Sequence, residues 1–120
     1  ESNLSTVDGR DKMLQLLSLE NRPDAVYVAG DYAALGALQV LNEKKIRVPE
    51  EIALVGFGNE PFSSMVTPSI TSIEQHSEEI GKQAAYVFLE HIKKDVVKQT
   101  LTKKILDVDL LVRDSSNKKK

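Results

Sequence analysis

The 120-residue chain has no cysteine. That excludes a disulfide scaffold, a thiolate metal site and a cysteine nucleophile, and it is compatible with a reducing compartment. Histidine is nearly as scarce: His76 and His91 are single, far apart and without metal-ligand spacing, so both read as structural. No run approaches the roughly 18–20 apolar residues that cross a membrane, and no signal peptide opens the chain. The start also lacks an initiator Met, so a piece of a longer protein is expected. Charge of one sign is not in excess: the net charge of −2 offers no overall basic field for nucleic acid. The one concentrated charge, residues 117–120, reads as a solvated tail. Catalytic constellations are missing too. Ser63-Ser64 and Ser115-Ser116 lack a Gly-x-Ser-x-Gly setting. "GFGNEP" lacks the third glycine and following helix of a dinucleotide fingerprint. Glu50-Glu51 and Glu78-Glu79 sit at element starts as solvated acids. The expectation is therefore no enzyme, no metal and no cofactor.

What is present is a chain 41% hydrophobic and 28% charged, enough for one modest domain with a core. Residues 8–19 carry Met13, Leu14, Leu16 and Leu17 at helical spacing, with Asp8 as the expected N-cap. "DAVYVAG", 24–30, is short, apolar and bounded by turn residues, which predicts a buried strand. Asp31 opens a second helix, 31–45, as its expected cap. Ala33, Ala34, Gly36 and Ala37 keep that helix thin enough for close packing. "IALVGF", 52–57, is a second strand, followed by a polar loop over 58–69. "SITSIEQ", 69–75, alternates like a strand. Ser77 is the expected cap of a helix over 78–94, with Ile80, Ala84, Val87, Phe88 and Ile92 as its apolar stripe. Residues 103–113 are a final strand region. Strand–helix–strand with short links predicts an α/β fold, an open, mainly parallel sheet joined by right-handed crossovers.

Several phrases together are more specific than any one. "RPDAVYVAGDYAALGALQVLNEKKIRVPEEIALVGFGNEPF" is followed at suitable distances by "TPSITSIEQ", "EIGKQAAYVFLEHI" and "DLLVRDSS". This resembles the C-terminal part of the LacI/GalR family of bacterial transcription regulators, over nearly the whole chain and weakest over 1–8 and 95–104. The resemblance implies a lobe of the periplasmic binding protein type I kind, within a two-lobed sensor that follows a helix-turn-helix headpiece and a hinge. Residues 1–120 then form the C-terminal part of the effector-binding domain. Helix 78–94 belongs to the otherwise missing N-terminal lobe, and its stripe lacks its normal partner, so it is expected to pack on a second copy or to swap.

The resemblance also implies ligand-facing positions. The family's Asn before "D" falls on Gly30, its Asp after "GF" or "GY" on Gly58, and a ligand-wall residue near the helix start on Ser77; all three are small here. Gly58 reads either as a turn that needs positive φ or as a pocket emptied of side chains. In the second case the N–H groups of Gly58 and Asn59 form a nest for an anion, favouring a phosphorylated or acidic sugar over a neutral one. Asn59 offers an amide that donates and accepts. The family's dimer surface falls on Leu35, Leu38 and Gln39 of the helix and on Met65 and Val66 of the loop. The expected whole is a cytoplasmic, dimeric regulator that binds a sugar-like effector between its lobes and meets operator DNA only through the missing headpiece. The alternative is a periplasmic sugar-binding protein of a transport system.

Overall fold

The structure is a computed structural model and describes residues 3–93 and 103–118. It comprises α1 (Thr6–Leu17), β1 (Ala25–Tyr27), α2 (Asp31–Glu43), β2 (Ala53–Phe57), a short 3-10 turn (Pro61–Ser64), β3 (Thr71–Glu74), α3 (Ser77–Lys93) and β4 (Asp109–Leu111). Residues up to Glu74, together with those from Asp109 onward, form one compact unit; Gln75–Val108 form another.

In the first unit the sheet order is β1-β2-β3-β4. The first three strands are parallel, with Val26 opposite Leu54 and Gly56 opposite Ser72. β4 runs antiparallel to β3, pairing Leu110 with Ile73. The α/β, mainly parallel architecture matches the expectation. The final strand is shorter than the predicted region 103–113, and residues 94–102 lie outside the described ones.

Side chains alternate across a strand, so Val26, Val28 and Leu54 turn together toward the helices. They meet Met13 of α1 and Ala34, Ala37, Leu38, Val40 and Leu41 of α2, closed by Ile52 and Ile70. Ala25 and Tyr27 alternate to the other face, so β1 is not the buried strand predicted: Tyr27 is 57% exposed. The small residues of α2 serve close packing as expected. A Cβ on Gly36 would lie 2.0 Å from the Thr6 carbonyl oxygen, so the α1–α2 crossing requires glycine there.

Helix α1 starts two residues earlier than predicted, and its N-cap is Ser5, not Asp8. Ser5 Oγ accepts the Asp8 N–H at 3.2 Å, while the Asp8 carboxylate accepts the Asn3 N–H at 2.8 Å. The acid three residues after the capping hydroxyl lies inside the first turn, but it reaches back to Asn3 and not to the Ser5 N–H, which Asn3 Oδ1 accepts at 3.1 Å, so only half of a capping box forms. At the opposite end of the sheet from the strand-end loops, Ser115 wedges between β2 and β3. Its hydroxyl donates to the Leu54 carbonyl at 2.6 Å and accepts the Thr71 N–H at 2.8 Å.

The second unit contains α3, which begins at Ser77, with the His76 carbonyl accepting the Ile80 N–H at 3.0 Å. Its predicted stripe is largely uncovered: Ile80, Ala84, Phe88 and Ile92 are exposed and Val87 is half-buried, with Phe88 at 64% exposure. His91 lies on this helix with Nδ1 against the Val87 carbonyl at 2.7 Å.

Candidate functional site

Open parallel sheets bind ligands beyond the carboxyl ends of their strands. Here β1 ends in Gly30-Asp31, β2 in Gly58-Asn59-Glu60 and β3 in Glu74. One carboxylate organises this end. Asp31 is buried, accepts the Ser72 hydroxyl at 2.8 and 3.0 Å, and accepts the Glu60 N–H at 2.8 Å. The expected capping role of Asp31 is corrected by this geometry. Gly30 is the N-cap of α2, and no side-chain cap bond forms. As the first helical residue, Asp31 instead ties α2 to β3 and to the loop after β2, with its charge at the favourable end of the helix dipole. Gly56 makes room for it, since a Cβ there would stand 2.1 Å from Asp31 Oδ1.

The two readings of Gly58 turn out to be compatible. Its φ of +117° is a conformation reserved for glycine, and a Cβ there would meet nothing within 4 Å. The position is both a turn and an open one. The anion nest is corrected, however. The Gly58 N–H is committed to the Ile73 carbonyl at 2.9 Å, and the Asn59 N–H to Ser72 Oγ at 3.0 Å. Nor is the Asn59 amide free. Its Nδ2 donates to Glu74 Oε2 at 2.7 Å, and its Oδ1 accepts from Arg113 Nη2 at 2.6 Å. With these two N–H groups spent, and with the Glu74 carboxylate and the Arg113 guanidinium both held on Asn59, the loop offers an anion no backbone nest.

Gly30 is half-buried, and a Cβ added there would stand 3.5 Å from Leu4 Cβ. The structure thus brings Gly30-Asp31 and residues 58–60 together through the Asp31–Glu60 bond. Ser77 is exposed and belongs to the second unit. Sequence reasoning missed Ser72, Glu74 and Arg113. They sit inside "TSIEQ" and "LLVRDSS", phrases that served for resemblance but whose polar side chains were not paired with the loop.

The candidate dimer surface divides. Leu38 is sealed in the core at 2% exposure and is unavailable to a second copy, a correction that follows from its place on the inner face of α2. Leu35 is half-buried, Gln39 exposed, Val66 half-buried against the core and Met65 78% exposed. Tyr32 and Phe62 meet beside this surface with ring centroids 5.0 Å apart. A mostly apolar cavity of about 70 Å³ lies among Leu4, Met13, Leu16, Val26 and Ala37, and the 58–60 loop takes no part in it. Among the described residues no cluster of three or more acids or histidines could hold a metal, and no helix is long and apolar enough to cross a membrane.

Surface ion pairs shift two carboxyls. The Arg47 backbone N–H, then the Arg47 and Arg22 side chains, hold Glu51 below its ordinary value of 4.5. Arg10, bonded to both Glu43 oxygens at 2.7 and 2.8 Å, lowers Glu43 likewise.

Residues 2–116 match the periplasmic binding protein-like domain family. The chain is 34% identical to the HTH-type transcriptional repressor PurR of Mannheimia succiniciproducens over 98% of its own length and 35% of the repressor's. It is 36% identical to the ribose operon repressor of Escherichia coli K12 over 76% of its length and 28% of that repressor's. Among solved structures, a LacI family regulator from Enterococcus faecium with bound ribose superposes with a TM-score of 0.80. That match has 25% identity and covers 93% of this chain and 40% of that one. The chain belongs to the periplasmic binding protein-like domain family. Within it, the relatives identify the effector-binding domain of the LacI/GalR regulators. The chain spans about a third of the length of the curated relatives it matches.

Proposed function

We propose that this chain is the effector-sensing and dimer-forming part of a LacI-type bacterial regulator, acting in the cytoplasm. The observation that carries the reading is the strand-end loop: 58–60 is hung from Asp31 and Ser72 with open space above Gly58. A rigid backbone beside an uncrowded position suits a ligand larger than one held by a carboxylate at 58. The bound ribose in the E. faecium relative supports a sugar-like effector. The spent N–H groups favour a neutral ligand over a phosphorylated or acidic one. Gly30, Gly58 and Asn59 line one wall. Asn59 acts mainly as a brace.

The uncovered stripe of α3 supports its assignment to the other lobe of the sensor. Met65, Gln39, Leu35 and Val66 face the partner copy. Effector binding between the lobes favours one lobe angle over another. Across the dimer that angle sets the spacing of the headpieces and so operator affinity.

A thermal-shift screen of the full-length regulator tests the reading. Neutral sugars and nucleobases are run against the corresponding phosphates, since a true effector raises Tm by mass action. A neutral ligand that stabilises, and that loses at least tenfold in affinity with Gly58→Asp while Gly58→Ala, which carries the same backbone strain, loses much less, supports the site. Stabilisation by phosphorylated ligands alone, or an affinity indifferent to Gly58→Asp, overturns it.

A further inference from the structure

Arg113 follows β4 by two residues and is half-buried. Its backbone is fixed on β3: its N–H donates to Thr71 Oγ1 at 2.8 Å, and the same hydroxyl donates to its carbonyl at 3.1 Å. From that anchored base the guanidinium crosses the connection between β2 and β3 and touches it three times. Nη2 donates to Asn59 Oδ1 at 2.6 Å, at the start. Nη1 donates to Ser63 Oγ at 3.3 Å, in the middle, and to the Ile70 carbonyl at 2.8 Å, at the end. Only a planar, multi-donor fork spans three acceptors in this way; a lysine ammonium is a point charge.

The connection is stiffened from within and from below. Ser63 Oγ donates to the Glu60 carbonyl at 2.5 Å, and the Ser63 N–H reaches the same carbonyl at 2.9 Å. Met65 and Val66 both donate to the Phe62 carbonyl. Glu74 and Asp31 hold Asn59 and Glu60 from the other side. This one segment carries Gly58 and Asn59 at its start and the exposed Met65 farther along.

We propose that Arg113 is a positioning residue that makes residues 58–66 move as one body. A displacement at Gly58-Asn59 then reaches Met65 and Val66 instead of being absorbed by a slack loop, coupling effector occupancy to the partner-facing surface. This rests on the reading above that the first end meets the effector and the second the partner copy.

The experiment is amide hydrogen exchange on the full-length regulator with Asn59→Ala, Arg113→Lys, Arg113→Met and the Asn59→Ala/Arg113→Met pair. Asn59→Ala removes the two side-chain contacts at the start of the segment, to Arg113 and to Glu74, and leaves the Arg113 contacts at Ser63 and Ile70 in place. It is expected to raise exchange at Ser63, Met65 and Val66 by about tenfold, with Val28 and Leu54 changing less than about threefold. In the Arg113→Met background the same substitution is expected to add little, because the link is already gone. Arg113→Lys is expected to behave like Arg113→Met. The proposal is overturned if Asn59→Ala leaves Met65 and Val66 unchanged. It is overturned equally if the Arg113 variants speed exchange at Val28 and Leu54 as much as in the segment, since that marks plain loss of stability. The site reading fails separately, through an effector affinity that ignores Gly58→Asp.

Discussion

Replacing Gly56 by alanine puts the proposed organisation of the strand ends under direct stress. The new methyl would stand 2.1 Å from Asp31 Oδ1, far inside contact distance, and 3.3 Å from Ala34 Cβ. Asp31 cannot swing aside without cost, because its carboxylate holds the Ser72 hydroxyl and the Glu60 N–H at 2.8 Å each. Losing one hydrogen bond to a charged acceptor costs about 1.5–3 kcal/mol. Forcing an extra methyl into a packed site costs about 1–3 kcal/mol more. Gly56→Ala is therefore expected to destabilise by about 3–5 kcal/mol, read as a lower urea midpoint at unchanged slope. The φ of Gly56 is not in the left-handed range, so alanine itself is tolerated by the backbone. Once the carboxylate is removed, the clash should vanish. In an Asp31→Ala background, Gly56→Ala is expected to change stability by less than about 1 kcal/mol, a large coupling for neighbouring sites. Equal costs in the two backgrounds would refute the reasoning, because they would show that Asp31 is not what the methyl strikes.

Other outcomes follow from the same geometry. Ser115→Ala leaves the Thr71 N–H and the Leu54 carbonyl without their buried partner. It is expected to cost about 2–4 kcal/mol in a denaturation midpoint. Glu51, its carboxyl lowered by the Arg47 backbone N–H and the arginine side chains, contributes stability above its ordinary value of 4.5. That contribution is lost as pH falls from there through the lower folded value. Glu51→Gln should therefore lower the midpoint at neutral pH, where the contribution is present, and leave it little changed at the acid end, flattening the acid side of a midpoint-against-pH curve. Met65→Asp places a charge on the most exposed part of the proposed partner surface. It is expected to weaken self-association at least tenfold in sedimentation without lowering the denaturation midpoint of the monomer.

Much of the fold was legible because periodicity and punctuation agree here. Two apolar strand runs and a small-residue helix between them can close in few ways. Ends were harder to read. Ser5 and Asp8 both carry good capping groups, and only the backbone geometry decides which stands outside the helix. Asp31 misled for a related reason: an acid at a helix start reads as a local cap, whereas here it serves Ser72 and Glu60, both distant in sequence. Leu38 and Leu35 share one helix and one residue type, so spacing alone could not tell core from surface. The anion nest failed because a glycine pair exposes N–H groups only if no neighbouring strand takes them. Ile73 and Ser72 do, and no local pattern announces that. Arg113 pairs with Asn59 across 54 positions of the chain, beyond any window in which sequence spacing has meaning.

The central claim is that the loop after β2, held by Asp31 and Ser72, is one wall of the effector site of a LacI-type regulator. Amide exchange of the full-length regulator, with and without the neutral ligand selected by the thermal-shift screen, tests it most directly. The account predicts slowed exchange at Gly58, Asn59 and Glu60 on binding. Protection confined to other parts of the molecule, with these three amides unaltered, would contradict it.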